Sequence, residues 1–146
     1  MLKASLVFLC LLITGIANAH ADIREIVEGS IVGAIDSPVV KVGLEEDSPG
    51  CNTKRYTFGD SIFSMKIEFK CDRINVAWSR SNEPENTLKS QHAAHLAQRA
   101  VVALTQADGS EVERVLSGAV YKGRSFPNGL TLSGTCVMTS CLLTFK

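Results

Sequence analysis

Ser61 to Asp72 (SIFSMKIEFKCD) constrains this chain more than any other stretch. Phe63, Met65, Ile67, Phe69 and Cys71 alternate with Ser64, Lys66, Glu68, Lys70 and Asp72. In a pleated strand, alternation of this kind places the apolar set on one face and the polar set on the other. The stretch therefore predicts a strand with one buried face, ending in a cysteine that can tie it to the rest of the fold. Ile74, Val76 and Trp78 alternate with Asn75, Ala77 and Ser79, so a second arm returns through Asp72-Arg73 as a hairpin.

The remaining segments extend this β pattern. Ile23 to Ile35 mixes β-branched residues with Gly29 and Gly33 and reads as a strand with a bulge. Val40, Val42 and Leu44 suggest a returning strand, and Glu45 to Lys54 a polar loop. From Thr87 the period changes. Leu88, His92, Leu96, Ala100 and Leu104 recur at helical spacing, and Thr87 can cap the start. Arg99 to Gln106 also suits a strand, and Asp108-Gly109 is a strong hairpin dipeptide. The reading adopted is one short helix, about Thr87–Arg99, followed by a hairpin across Asp108-Gly109. Leu130–Leu132, Cys136–Met138 and Leu142–Phe145 look like closing strands. The expected fold is mainly β: a small antiparallel barrel or sandwich with one short helix, stapled by disulfides.

The first 19 of the 146 residues have the features of a secretory leader. Lys3 supplies the positive start, Leu6 to Ile16 the apolar run, and Ala17-Asn18-Ala19 a small-x-small cleavage site. Cleavage falls after Ala19 or Ala21, leaving one domain over the remaining residues, periplasmic or secreted. Lys+Arg and Asp+Glu balance over the whole chain at 15 each. Losing Lys3 hardly disturbs that balance, so charge argues against a nucleic-acid partner or an anionic membrane.

Cys51, Cys71, Cys136 and Cys141 remain after processing. In a small exported domain an even set reads as disulfides, and spacing leaves the pairing open. Zinc is the alternative, but no C-x2-C pair is present and no histidine lies near these cysteines in sequence. His92 and His95 would share a helix face and could form half of a metal site. Cleavage after Ala19 would make His20 the mature N-terminus, where an amino group and its own imidazole can chelate copper. That arrangement resembles the histidine brace of periplasmic copper carriers. No cofactor is called for. Nucleophile elbows and phosphate loops are missing from the sequence, so a binding protein is expected in place of an enzyme.

Ser117-Gly118-Ala119-Val120-Tyr121 resembles the S-G-x-x-Y signature of the bacterial membrane-bound and periplasmic inhibitors of C-type lysozyme. The resemblance spans Phe69 to Leu132 and rests on the order of several features. Phe69-Lys70-Cys71, Val101 to Leu104, Asp108-Gly109, Ser117 to Tyr121 and Leu130-Thr131-Leu132 follow one another as the corresponding family segments do. The family's aromatic-threonine-lysine-glycine run would fall near Ser133-Gly134, where the glycine alone is present. The resemblance implies a protein partner, a lysozyme, bound by a protruding Ser117–Arg124 loop. Gly118 allows a sharp turn, Tyr121 offers an anchor, Ser117 a small hydroxyl, and Lys122 and Arg124 positive charge for a cleft lined by carboxylates. Two other readings from the same sequence are a periplasmic copper-binding protein using His20 and a secreted interaction or virulence factor without catalysis.

Overall fold

The structure is a computed structural model that describes residues 22–23 and 26–146. The leader, its cleavage sites and His20 lie outside the described residues. Helix α1 (Glu28–Ala34) precedes a four-stranded meander, β1 (Val39–Ser48), β2 (Cys51–Gly59), β3 (Ser64–Phe69) and β4 (Ile74–Ser79). A single 3-10 turn at Pro84–Asn86 leads into α2 (Thr87–Thr105), and α3 (Glu111–Leu116) follows. A second meander of β5 (Tyr121–Ser125), β6 (Thr131–Val137) and β7 (Ser140–Phe145) completes the chain. The seven strands among the described residues form one antiparallel sheet in the order β1-β2-β3-β4-β7-β6-β5.

The protein is mainly β and disulfide-stapled, and the alternating stretch supplies its centre. Met65 and Ile67 on β3 pair with Trp78 and Val76 on β4, which in turn pair with Cys141 and Leu143 on β7. All six are buried on one face of the sheet. That face is covered by helices and not by a second sheet, which corrects the expected barrel or sandwich. With β1 and β5 as edges the sheet stays open. The cover is α2, whose Ala93, Leu96, Ala97, Ala100, Val101 and Leu104 are all buried. Its alanine-sized and aliphatic side chains let its backbone lie close to the sheet, and burying this continuous row outweighs the β propensity of Val101 and Val102.

Four local expectations differ for related reasons. Helix α2 runs on to Thr105, past the expected stop at Arg99, and ends at Gln106, whose φ is 58° and whose N–H bonds Val102 O at 2.8 Å. Asp108-Gly109 turns between two helices instead of closing a hairpin. A Cβ at Gly109 would sit 2.9 Å from both Gln98 Cγ and Val102 Cγ2, so the glycine lets α3 approach α2. Ile31 and Ile35, four apart, are buried within and just after α1, so Ile23 to Ile35 holds a helix where a strand was expected. The expected polar loop Glu45 to Lys54 is mostly strand, the β1–β2 hairpin turning at Pro49-Gly50.

The disulfides are Cys51–Cys71 and Cys136–Cys141. Cys71 is exposed, so the first bridge clips β2 to the β3–β4 turn at the rim of the sheet and does not enter the core. The second links facing residues of the β6–β7 hairpin, with Cys141 in the core. Among the described residues no helix is long and apolar enough to cross a membrane.

Candidate functional site

Ser117 to Arg124 joins α3 to the edge strand β5, and each end has a local cause. Gly118 has a φ of 100° and donates its N–H to Val115 O at 3.1 Å. The Ala119 N–H reaches Arg114 O at 2.9 Å. This pair of bonds is the Schellman ending of a helix, with glycine at the left-handed position. The Ser-Gly pair of the motif is therefore the C-terminal cap of α3. Thr135 Oγ1 on β6 donates to Ala119 O at 2.9 Å and fastens the connection to the sheet.

Tyr121 opens β5 opposite Gly134. Its side chain is half-buried against the core, and its hydroxyl is buried without a hydrogen-bond partner among the described residues. Tyr121 thus roots the segment, while Ser117, Gly118, Val120, Lys122, Gly123 and Arg124 form its exposed surface. Lys122 lies on the polar face opposite Ser133 and has no ion-pair partner among the described residues. Arg124 sits 5.8 Å from the Tyr121 ring centroid and 5.5 Å from that of Phe126. Its Nη2 lies 3.0 Å from Oε1 of Glu111, a residue with 0% exposure. The contact is an ion pair by distance, but its angles do not make a hydrogen bond, and both Glu111 oxygens lack one among the described residues.

Glu111 was not singled out in the sequence because Asp108-Gly109 reads as a hairpin and hides the helix behind it. The available signal was Asp108-Gly109-Ser110 followed by Val112 and Val115 three apart, a helix start with one apolar side. Asp108 Oδ1 accepts the Ser110 N–H at 3.0 Å there.

The sheet face away from the helices is polar. One register row, Gly43, Arg55, Glu68, Asn75, Thr144, Ser133 and Lys122, crosses all seven strands. Arg55 Nε donates to Glu68 Oε1 at 2.6 Å, Asn75 Nδ2 to Glu68 Oε2 at 3.1 Å, and Thr144 Oγ1 to Asn75 Oδ1 at 2.9 Å. Burial pushes the Glu68 carboxyl up, but the bonds from Asn75 and Arg55 outweigh it and hold the group below its ordinary range. Beside this row, Lys41, Arg55 and Lys66 line a cleft of about 380 Å³ together with Ser61 and Ser64. Pattern reading did not bring these cations together, because they lie on three strands.

His92 and His95 are exposed on α2, and no cluster of three or more His, Cys, Asp or Glu is present among the described residues. The four cysteines are consumed by disulfides, which removes them as zinc ligands. No family model, curated protein or solved structure matches the chain.

Proposed function

We propose that this protein is exported and acts by binding, not by catalysis, and that the Ser117–Arg124 segment contacts a lysozyme-type glycosidase. One observation carries the reading: an exposed segment is fastened to the fold by four separate tethers. These are the α3 cap, the Thr135–Ala119 bond, the half-buried Tyr121 and the Arg124–Glu111 pair. A segment ordered in advance loses little conformational freedom on binding. Ser117, Val120 and Lys122 are the contacting residues of this reading, with Arg124 exposed on the other face of β5 and Tyr121 supporting them from beneath. Glycosidase clefts carry two carboxylates, and Lys122 brings an unpaired positive charge. Export is supported by the two disulfides and by the leader-like first 19 residues.

The test is the lysis of bacterial cell walls by a C-type lysozyme, followed by turbidity. Purified protein at micromolar concentration is expected to slow lysis, and added salt to weaken the effect. Lys122→Glu is expected to reduce inhibition about tenfold, the scale of a lost charge contact turned repulsive. Undiminished lysis at micromolar protein would reject the reading.

A further inference from the structure

The two edges of the sheet are unlike. Strand β5 has five residues, carries Lys122 and Arg124, and is bulged between them, features that discourage pairing with another chain. Strand β1 has ten residues and pairs with β2 alone among the described residues. Its side chains are largely exposed on both faces, including Val40 at 59%, Val42 at 53% and Leu44 at 71%. Its register is interrupted between Val39 and Lys41 and again between Glu46 and Ser48, leaving a regular stretch from Lys41 to Glu46.

Read outward from Gly43, this stretch is self-complementary. In an antiparallel pair of two copies centred on Gly43, Lys41 faces Glu45 of the second copy and Val42 faces its Leu44. By symmetry each pairing occurs twice. Lys41, Gly43 and Glu45 lie on the polar face, opposite Thr57, Arg55 and Thr53 of β2. Val42 and Leu44 lie on the helix side, opposite Tyr56 and Lys54. The pairing therefore makes two Lys–Glu contacts on one face and two Val–Leu contacts on the other, the cross-strand combinations that stabilise a sheet. Lys41 has no ion-pair partner within its own chain among the described residues. Among the described residues Glu45 is held only by Arg55 at 3.6 Å, and that arginine is more tightly bound to Glu68. A Cβ at Gly43 would meet nothing within 4 Å, so the symmetry point is uncrowded.

We propose that a second copy of this chain pairs along β1, joining two seven-stranded sheets into one continuous sheet about a two-fold axis at Gly43. Closed two-fold pairing of one patch with itself is the commonest route to a homodimer.

Charge reversal tests both the association and its register. Sedimentation of the purified protein, from low micromolar to several hundred micromolar, is expected to show a monomer–dimer equilibrium. Lys41→Glu sets two acids opposite each other twice, and Glu45→Lys does the same with two lysines. Each is expected to weaken self-association about tenfold or more. An equimolar mixture of the two variants restores both opposite-charge pairs and is expected to dimerise like the unmodified protein. Both side chains are exposed, and circular dichroism checks that each variant is folded. Gly43→Cys adds a register test, since facing residues of an antiparallel pair lie about 4.5–5.5 Å apart at Cα, within disulfide reach. Mild oxidation is expected to convert this variant to a covalent dimer, and Val42→Cys to leave a monomer on denaturing gels. A monomer at every concentration overturns the proposal. So does a dimer indifferent to the single reversals and their mixture.

Discussion

Replacing Gly134 with alanine tests how the candidate segment is mounted. Gly134 lies in β6, between Tyr121 of β5 and Leu143 of β7. Its φ is 149°, a conformation that costs an L-residue about 1–3 kcal/mol. An added Cβ would overlap the backbone O of Leu142 and stand 2.9 Å from Leu143 Cα and 3.0 Å from Leu142 C. Those atoms belong to a paired strand, so no side chain can turn aside. Relief requires β6 to separate from β7, an overpacking term of about 1–3 kcal/mol or more. Together the two terms give about 4 kcal/mol, a large share of the roughly 5–15 kcal/mol that holds a domain folded. With a urea slope of about 1.5 kcal/mol per M, the unfolding midpoint should fall by about 2–3 M. Gly43→Ala is the control, because its Cβ meets open space and its φ is not in the positive range. Its midpoint should stay within about 0.5 M of the original. A Gly134→Ala midpoint equally close to the original would refute the reasoning.

Acidification and loss of the disulfides give further outcomes. Burial pushes the Glu28 carboxyl up, but Lys54 and Tyr56 outweigh it, so Glu28, like Glu68, is held below the ordinary range. A depressed folded value means that the stabilisation is fully present above the unfolded value, about pH 4.3 for glutamate, and is lost as pH falls through the folded one. Urea midpoints should therefore drop on the acid side of about pH 4–5, less steeply in Glu68→Gln, and a midpoint that rises on acidification would contradict this. Cys51–Cys71 has a sequence separation of 20 and Cys136–Cys141 one of 5. Removing the first should cost about 3 kcal/mol and the second about 2 kcal/mol in midpoint-derived stability. The reverse order would show that loop closure does not govern their contributions.

The centre of this fold was legible because β3 and β4 place their apolar residues on one face, and a period of two records that directly even though Ser64 and Asn75 on the other face are buried too. Phe63, Met65 and Ile67 are buried as the alternation implies, and β3 pairs with β4 through the Asp72-Arg73 turn. The β1–β2 hairpin was only half legible, since a margin strand exposed on both faces carries no strict alternation in Glu45 to Ser48. The helices were obscured for another reason. Ile31 with Ile35, four apart, is a short β-branched set whose spacing fits either period, and only the layer it covers shows that it is helical. Val112 with Val115, three apart, fits the helical period, but the Asp108-Gly109 dipeptide before it reads as a hairpin turn. The candidate segment was visible as Ser117-Gly118 and Tyr121, but its mounting was not. Glu111 lies thirteen residues from Arg124 in sequence, and their pairing depends on α3, which the Asp-Gly dipeptide disguised.

Backbone hydrogen exchange of this protein, with and without a C-type lysozyme, tests the central claim most directly. The Ser117, Gly118 and Ala119 amides are bonded within the α3 cap, while the outer-edge amides of β5 have no strand partner among the described residues, so a partner seated on this exposed segment must slow exchange of those outer-edge amides most. Protection is expected to be confined to that segment and its neighbours on α3, with β1 and α1 unchanged. Exchange in Ser117 to Ser125 that is the same with saturating lysozyme as without it would contradict the account.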